Sequence, residues 1–198
     1  MTSDGDLPGL TDPSAAPPDP SAEPLRAVVA EVERHVADDG WDRPPVLFAL
    51  ADTAGFLRAE PTLAGQLGLD PGVVPAGALT PVEQEPFADE DLEEALAKIS
   101  WPESVAGCAL VYEALVLPPS AEADRPEDVD PAEWAAVHPA RREVRMAVGV
   151  LRDGRAEGMM RIRPLPETAD ADEPAAGDVI TAPDLAPGVA DALRSTLD

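Results

Sequence analysis

The sequence predicts an α+β fold. It reads as a single domain with a mostly antiparallel sheet of about four strands, mixed pairing being left open, and helices packed mainly on one face. Three observations carry this. Short apolar runs are bounded by prolines, apolar residues recur at helical spacing elsewhere, and a long hairpin pattern turns at Asp153-Gly154. The domain spans residues 24–198, with flexible acidic loops near 118–129 and 164–178. Residues 1–23 precede it as a disordered tail rich in proline, alanine and acid.

The tail holds five prolines among Ser, Gly and Asp and has no periodic apolar pattern. It cannot bury enough surface to offset the entropy of ordering it. From Pro24 the pattern changes: Leu25, Val28, Val29, Val32 and Val36 share one helical face, Pro24 suits a first helical turn and Gly40 suits a stop. This predicts a helix over 24–38. Val46-Leu47-Phe48-Ala49-Leu50 is too short and too continuously apolar for a helix and reads as a buried strand. Two short helices follow, around 53–59 and 61–68. Leu92, Ala95, Leu96 and Ile99 form a helix face over 89–99 behind Asp89, Glu90 and Asp91, whose charges suit a helix start.

Residues 105–117 are apolar on both faces, broken mainly by Tyr112 and Glu113, as in a central strand covered from two sides. Asp130-Pro131-Ala132-Glu133 has the layout of a helix N-cap and should carry Trp134 on a short helix. Between 142 and 163 the polarity selects the hairpin register. A two-residue loop would pair Val150 with Glu157 and Val144 with Arg163, mixing core and solvent positions on one face. A three-residue loop with Gly154 in the left-handed position pairs Val150 with Ala156, Val148 with Gly158, Met146 with Met160, and Val144 with Ile162. That face is wholly apolar. The other face holds Glu143, Arg145, Ala147, Glu157, Met159, Arg161 and Arg163, with Arg155 near the turn, and is expected to face solvent. Exposed ion pairs are worth about 0–1 kcal/mol, so Arg161→Ala should then be nearly neutral. An edge strand at 179–180 and a helix over 187–197 complete the reading.

The chain has 198 residues, 44% of them apolar and 4% aromatic, and carries 39 acidic against 14 basic side chains for a net charge of −25. A surface of that sign repels phosphate backbones and anionic headgroups, so neither nucleic acid nor membrane is an expected partner. No run approaches the ~20 apolar residues that span a bilayer, and the N-terminus lacks the pattern of a secretion signal. The lone Cys108 suits a reducing compartment, so a cytoplasmic location is expected.

Candidate chemistry is sparse. His35 and His138 have no metal-ligand spacing. His35 borders the apolar stripe of the first helix and reads as a partly buried structural residue, while His138 before Pro139 suits a helix end. Cys108 lies in the apolar central strand without a basic neighbour and reads as an inert buried thiol. Nine carboxylates and no base lie between Arg58 and Lys98, but their order is not that of a calcium loop, and they read as a solvated acidic helix start. No nucleophile elbow, phosphate loop or dinucleotide fingerprint is present. No catalytic residue, metal site or cofactor is therefore assigned.

What stands out is the set of five arginines within 145–163 of an otherwise acidic chain. They either neutralise the protein's own acids or receive a carboxylate, a phosphate or an acidic segment of a partner. Arg145, Arg155, Arg161 and Arg163, with Trp41 as an aromatic anchor or core cap, are the candidate partner-binding or anion-binding residues. The leading expectation is a non-catalytic cytosolic protein-binding or accessory module using this Arg-rich sheet face. The alternative is a small enzyme or anion-binding protein at the same face, with His35 or a carboxylate as acid or base. A deep pocket beside Arg145 and Arg161 would favour the alternative.

Three segments together resemble an uncharacterised family of short acidic actinobacterial proteins with no assigned activity. They are Gly40-Trp41-Asp42-Arg43-Pro44-Pro45 with Leu47-Phe48-Ala49-Leu50, Leu79-Thr80-Pro81-Val82-Glu83-Gln84-Glu85, and Trp101-Pro102 followed by Val105-Ala106-Gly107-Cys108-Ala109-Leu110. The resemblance covers residues 25–197 and implies one domain and a cytoplasmic bacterial origin. It carries no activity, ligand or catalytic residue.

Overall fold

The computed structural model describes residues 22–62, 65, 72–87, 91–164 and 179–198. The tail through residue 21, most of the expected helix at 61–68 and the acidic stretch 165–178 lie outside them. In chain order the described elements are α1 (Glu23–Ala37), β1 (Val46–Asp52), α2 (Thr53–Ala59), β2 (Leu79–Glu83), α3 (Leu92–Leu96), β3 (Val105–Val116), α4 (Pro119–Ala123), α5 (Pro131–Val137), β4 (Arg142–Leu151), β5 (Ala156–Ile162), β6 (Val179–Ala182) and α6 (Pro187–Ser195).

The fold is α+β with one sheet in the order β2-β1-β3-β4-β5-β6, and every neighbouring pair is antiparallel. The expected count of about four strands is corrected to six. β2 escapes a sequence reading because Pro81 interrupts its pattern, and a proline is tolerated there because β2 is an edge strand. β6, foreseen as a short edge at 179–180, is the other edge. The flexible loop expected near 118–129 contains the helix α4.

The hairpin has the register that polarity selects: Val144 opposite Ile162, Met146 opposite Met160, Val148 opposite Gly158, and Val150 opposite Ala156. Gly154 takes φ +91°, the left-handed conformation that the three-residue loop needs. Cross-strand pairing then assigns each residue to a face. Leu47, Cys108, Leu110, Val148 and Val150 join Leu96, Ala190, Leu193 and Leu197 in a core between the sheet and the helices α3 and α6. Phe48, Leu50, Ala109, Val111, Ala147 and Leu151 form a second core with Leu25, Val28, Val29, Val32 and Val36 of α1.

Helices therefore cover both faces, which corrects the expectation of helices mainly on one. The physical reason is β3 itself. Alternate residues of an apolar strand point to opposite sides, so each side needs a cover. Gly149 permits the close approach of α1, since a Cβ there would lie 2.6 Å from Val29 Cγ2. No helix among the described residues is long and apolar enough to cross a membrane.

Candidate functional site

The hairpin face that carries arginines is the face α1 covers, and this changes what those arginines can do. Arg145 is 1% exposed and Glu33 of α1 is 0% exposed. Glu33 is held in a two-toothed pair: Arg161 Nε donates to Oε1 and Arg161 Nη2 to Oε2, each at 2.6 Å. Arg145 Nη1 lies 4.0 Å from Glu33 Oε1, while its Nη2 donates to Glu113 Oε1 at 3.0 Å and to the carbonyl of Gly40. The hydrogen bonds that Arg161 donates to Glu33 raise the Arg161 pKa above its ordinary value.

The expected exposure of Arg145 and Arg161 is thus corrected. Both close an internal network between helix and sheet. Beside it Arg26 of α1 donates to Oε1 of buried Glu157 at 3.0 Å, while Oε2 of Glu157 has no partner among the described residues.

The network reaches solvent where α1 ends. Gly40 turns the chain at φ +86° and Asp42 follows at φ +66°, a conformation a non-glycine residue adopts at some cost. The strain is offset by three hydrogen bonds. Asp42 N donates to Glu113 Oε2 at 2.9 Å, and Arg163 donates through Nη1 and Nη2 to the two carboxylate oxygens of Asp42 at 2.8 and 2.9 Å. Arg163 also pairs with Glu143, its pKa is raised chiefly by the Asp42 bond, and Asp42 is held below the usual carboxylate range by Arg163. Between these groups sits the half-buried Trp41 ring, with the guanidinium carbon of Arg145 at 4.5 Å and that of Arg163 at 5.4 Å from its centroid.

Of the five sequence candidates, Trp41, Arg145, Arg161 and Arg163 come together and Arg155 does not. Arg155 sits at the hairpin turn, where its guanidinium and backbone N–H bond Asp153. The fifth arginine of the run, Arg152, donates to the carbonyls of Trp101, Pro102, Val105 and Leu197 and ties the entry of β3 to the C-terminus. Of the acids that answer the arginines, Glu33, Glu113, Asp42 and Glu143, sequence reasoning places only Glu143 on this face. Glu33 had a signal, for it falls one turn from both Val29 and Val36 on the apolar stripe.

His35 is 62% exposed, not the partly buried structural residue expected. Its Nε2 lies 3.1 Å from Glu83 Oε2 and its ring stands edge-on to Phe48. His138 caps a turn, with Nδ1 accepting from the Ala140 N–H at 3.1 Å. Cys108 is fully buried beside Thr196 and the Leu193 carbonyl, and burial pushes its thiol up to about 11. A thiol reagent is expected to label it slowly in the native protein and rapidly in denaturant, as read by mass spectrometry. Fast native labelling would contradict this placement.

Among the described residues no group of three or more His, Cys, Asp or Glu side chains is arranged to hold a metal ion. Comparison with curated proteins and with solved structures gave no match. A family model does match, over residues 25–198. On that match the chain belongs to the family described as PPA1309-like protein.

Proposed function

We propose that this protein is a non-catalytic interaction module of an actinobacterial cytosol, and that it recognises another protein at the uncovered end of the Arg-bearing sheet face. The observation that carries the reading is Trp41, a half-exposed indole already immobilised between two guanidinium groups. An aromatic side chain ordered in advance loses little entropy on binding, and Trp and Arg are the residues that most often dominate interface energies. Arg163, about one third exposed, flanks it with Asp42 and Glu143. The deeper pair Arg145 and Arg161 supports the rim instead of touching a partner. Their donors are directed at Glu33, Glu113 and the Gly40 carbonyl, which favours binding at the rim over an anion or substrate held between them.

The test is affinity capture from the native cytosol with the unaltered chain and with Trp41→Ala and Arg163→Glu. Both variants should lose the principal partner while the melting temperature moves by only a few degrees, because Arg163 pairs at the surface. Retention of the partner by both variants would overturn the reading.

A further inference from the structure

We propose that the groove beside this rim receives an extended segment of a partner protein that is both cationic and apolar, an inference that rests on the interaction reading above. The groove has a volume of about 550 Å³ and runs between the end of β3 and the helix α5. Leu115, Val116, Trp134 and Ala135 supply its apolar wall, and Glu122 and Arg125 are the charged residues that line it. Leu115 joins groove and rim, for it lies opposite Glu143, which pairs with Arg163. Its side chain is 42% exposed.

The backbone here is also one strand short. β1 begins at Val46 opposite Val111, so residues 112–116 of β3 have a strand partner only on the β4 side. The chain before β1 is Pro44-Pro45, which has no N–H with which to extend the ladder. An extended peptide lying along a strand end with alternate side chains in pockets is a recurrent recognition mode.

Charge selects the occupant. Residues 119–137, which carry both helices bordering the groove, contain six carboxylates (Glu122, Asp124, Glu127, Asp128, Asp130 and Glu133) and one base, Arg125. Arg125 is turned onto the carbonyls of Pro126 and Val129 of its own loop. Trp134 is fixed by donation from Nε1 to the Ala121 carbonyl, so the wall is preformed. The chain's own segments 1–21 and 165–178 contain acids and neither Lys nor Arg, and a second copy brings another −25, so each would meet like charge. A basic segment with interspersed apolar residues meets both these carboxylates and the wall.

The probe is a fluorescein-labelled dodecapeptide alternating lysine and valine, titrated onto the full chain by anisotropy beside a Glu-Val peptide and an all-lysine peptide. The Lys-Val peptide should bind tightest and weaken with added salt. Leu115→Lys, and separately Glu122→Lys with Glu133→Lys, should each reduce affinity about tenfold or more. The control pair Glu93→Lys with Glu94→Lys, in α3, should leave it nearly unchanged. Absence of Lys-Val binding, equal binding of all-lysine, or an equal loss in the α3 control overturns the groove. If the peptide fails while Trp41→Ala and Arg163→Glu still lose the captured partner, the groove falls and the rim stands. Binding that depends on Leu115 and Glu122, with capture insensitive to Trp41 and Arg163, overturns the rim and keeps the groove.

Discussion

Glu33→Ala is expected to destabilise the fold by about 3–5 kcal/mol, measured as a fall in the urea midpoint at constant slope. The carboxylate is fully buried and accepts both hydrogen bonds of Arg161, with Arg145 close behind. Its removal leaves two guanidinium groups facing a low-dielectric space with one fewer anion, and leaving a buried charge unanswered costs more than the pair contributed. Arg145 retains Glu113 and the Gly40 carbonyl, so the loss should fall mainly on Arg161. A companion variant sharpens this: Glu33→Met with Arg161→Met removes both charges and should recover much of the stability that Glu33→Ala loses. A near-neutral Glu33→Ala would mean that water reaches the pair.

Val148→Asp is expected to be at least as severe, at more than about 4 kcal/mol, and to lower the yield of folded protein. Val148 is 2% exposed in the middle of β4, packed within the core that the sheet shares with α3 and α6. A carboxylate there would have Leu110, Val150 and Leu193 as neighbours in that core and no base among them. It must be buried charged or protonated, and either costs more than the side-chain volume that is kept. Circular dichroism melting of the variant checks this. A change of less than about 1 kcal/mol would place this hairpin face in solvent.

The two variants also show where sequence reasoning succeeds and where it stops. The sequence places Val148 inward because only one hairpin register puts Val144, Met146, Val148 and Val150 opposite apolar residues, and the period of two leaves no freedom once the register is chosen. The same alternation predicts Arg161 outward in solvent, and the structure instead pairs it with buried Glu33 although the alternation holds. A strand's pattern says which residues share a face but not what lies against it. The partner of Arg161 is Glu33, distant in the chain and on a helix whose apolar stripe runs past that very position. A glutamate one turn from Val29 and Val36 was a sign that the stripe carries a buried charge, and a buried charge calls for an arginine elsewhere.

By itself the sequence determined the helix α1, the central strand, the hairpin with its register, the N-cap of α5 and the burial of Cys108, because each follows from local periodicity, turn chemistry or capping. The tertiary structure alone decided that α1 lies over the arginines, that β2 joins the sheet despite Pro81, and that Trp41 is clamped between Arg145 and Arg163. These depend on contacts between residues far apart in the chain. Such contacts follow from which faces must be buried together, and no local pattern encodes that pairing.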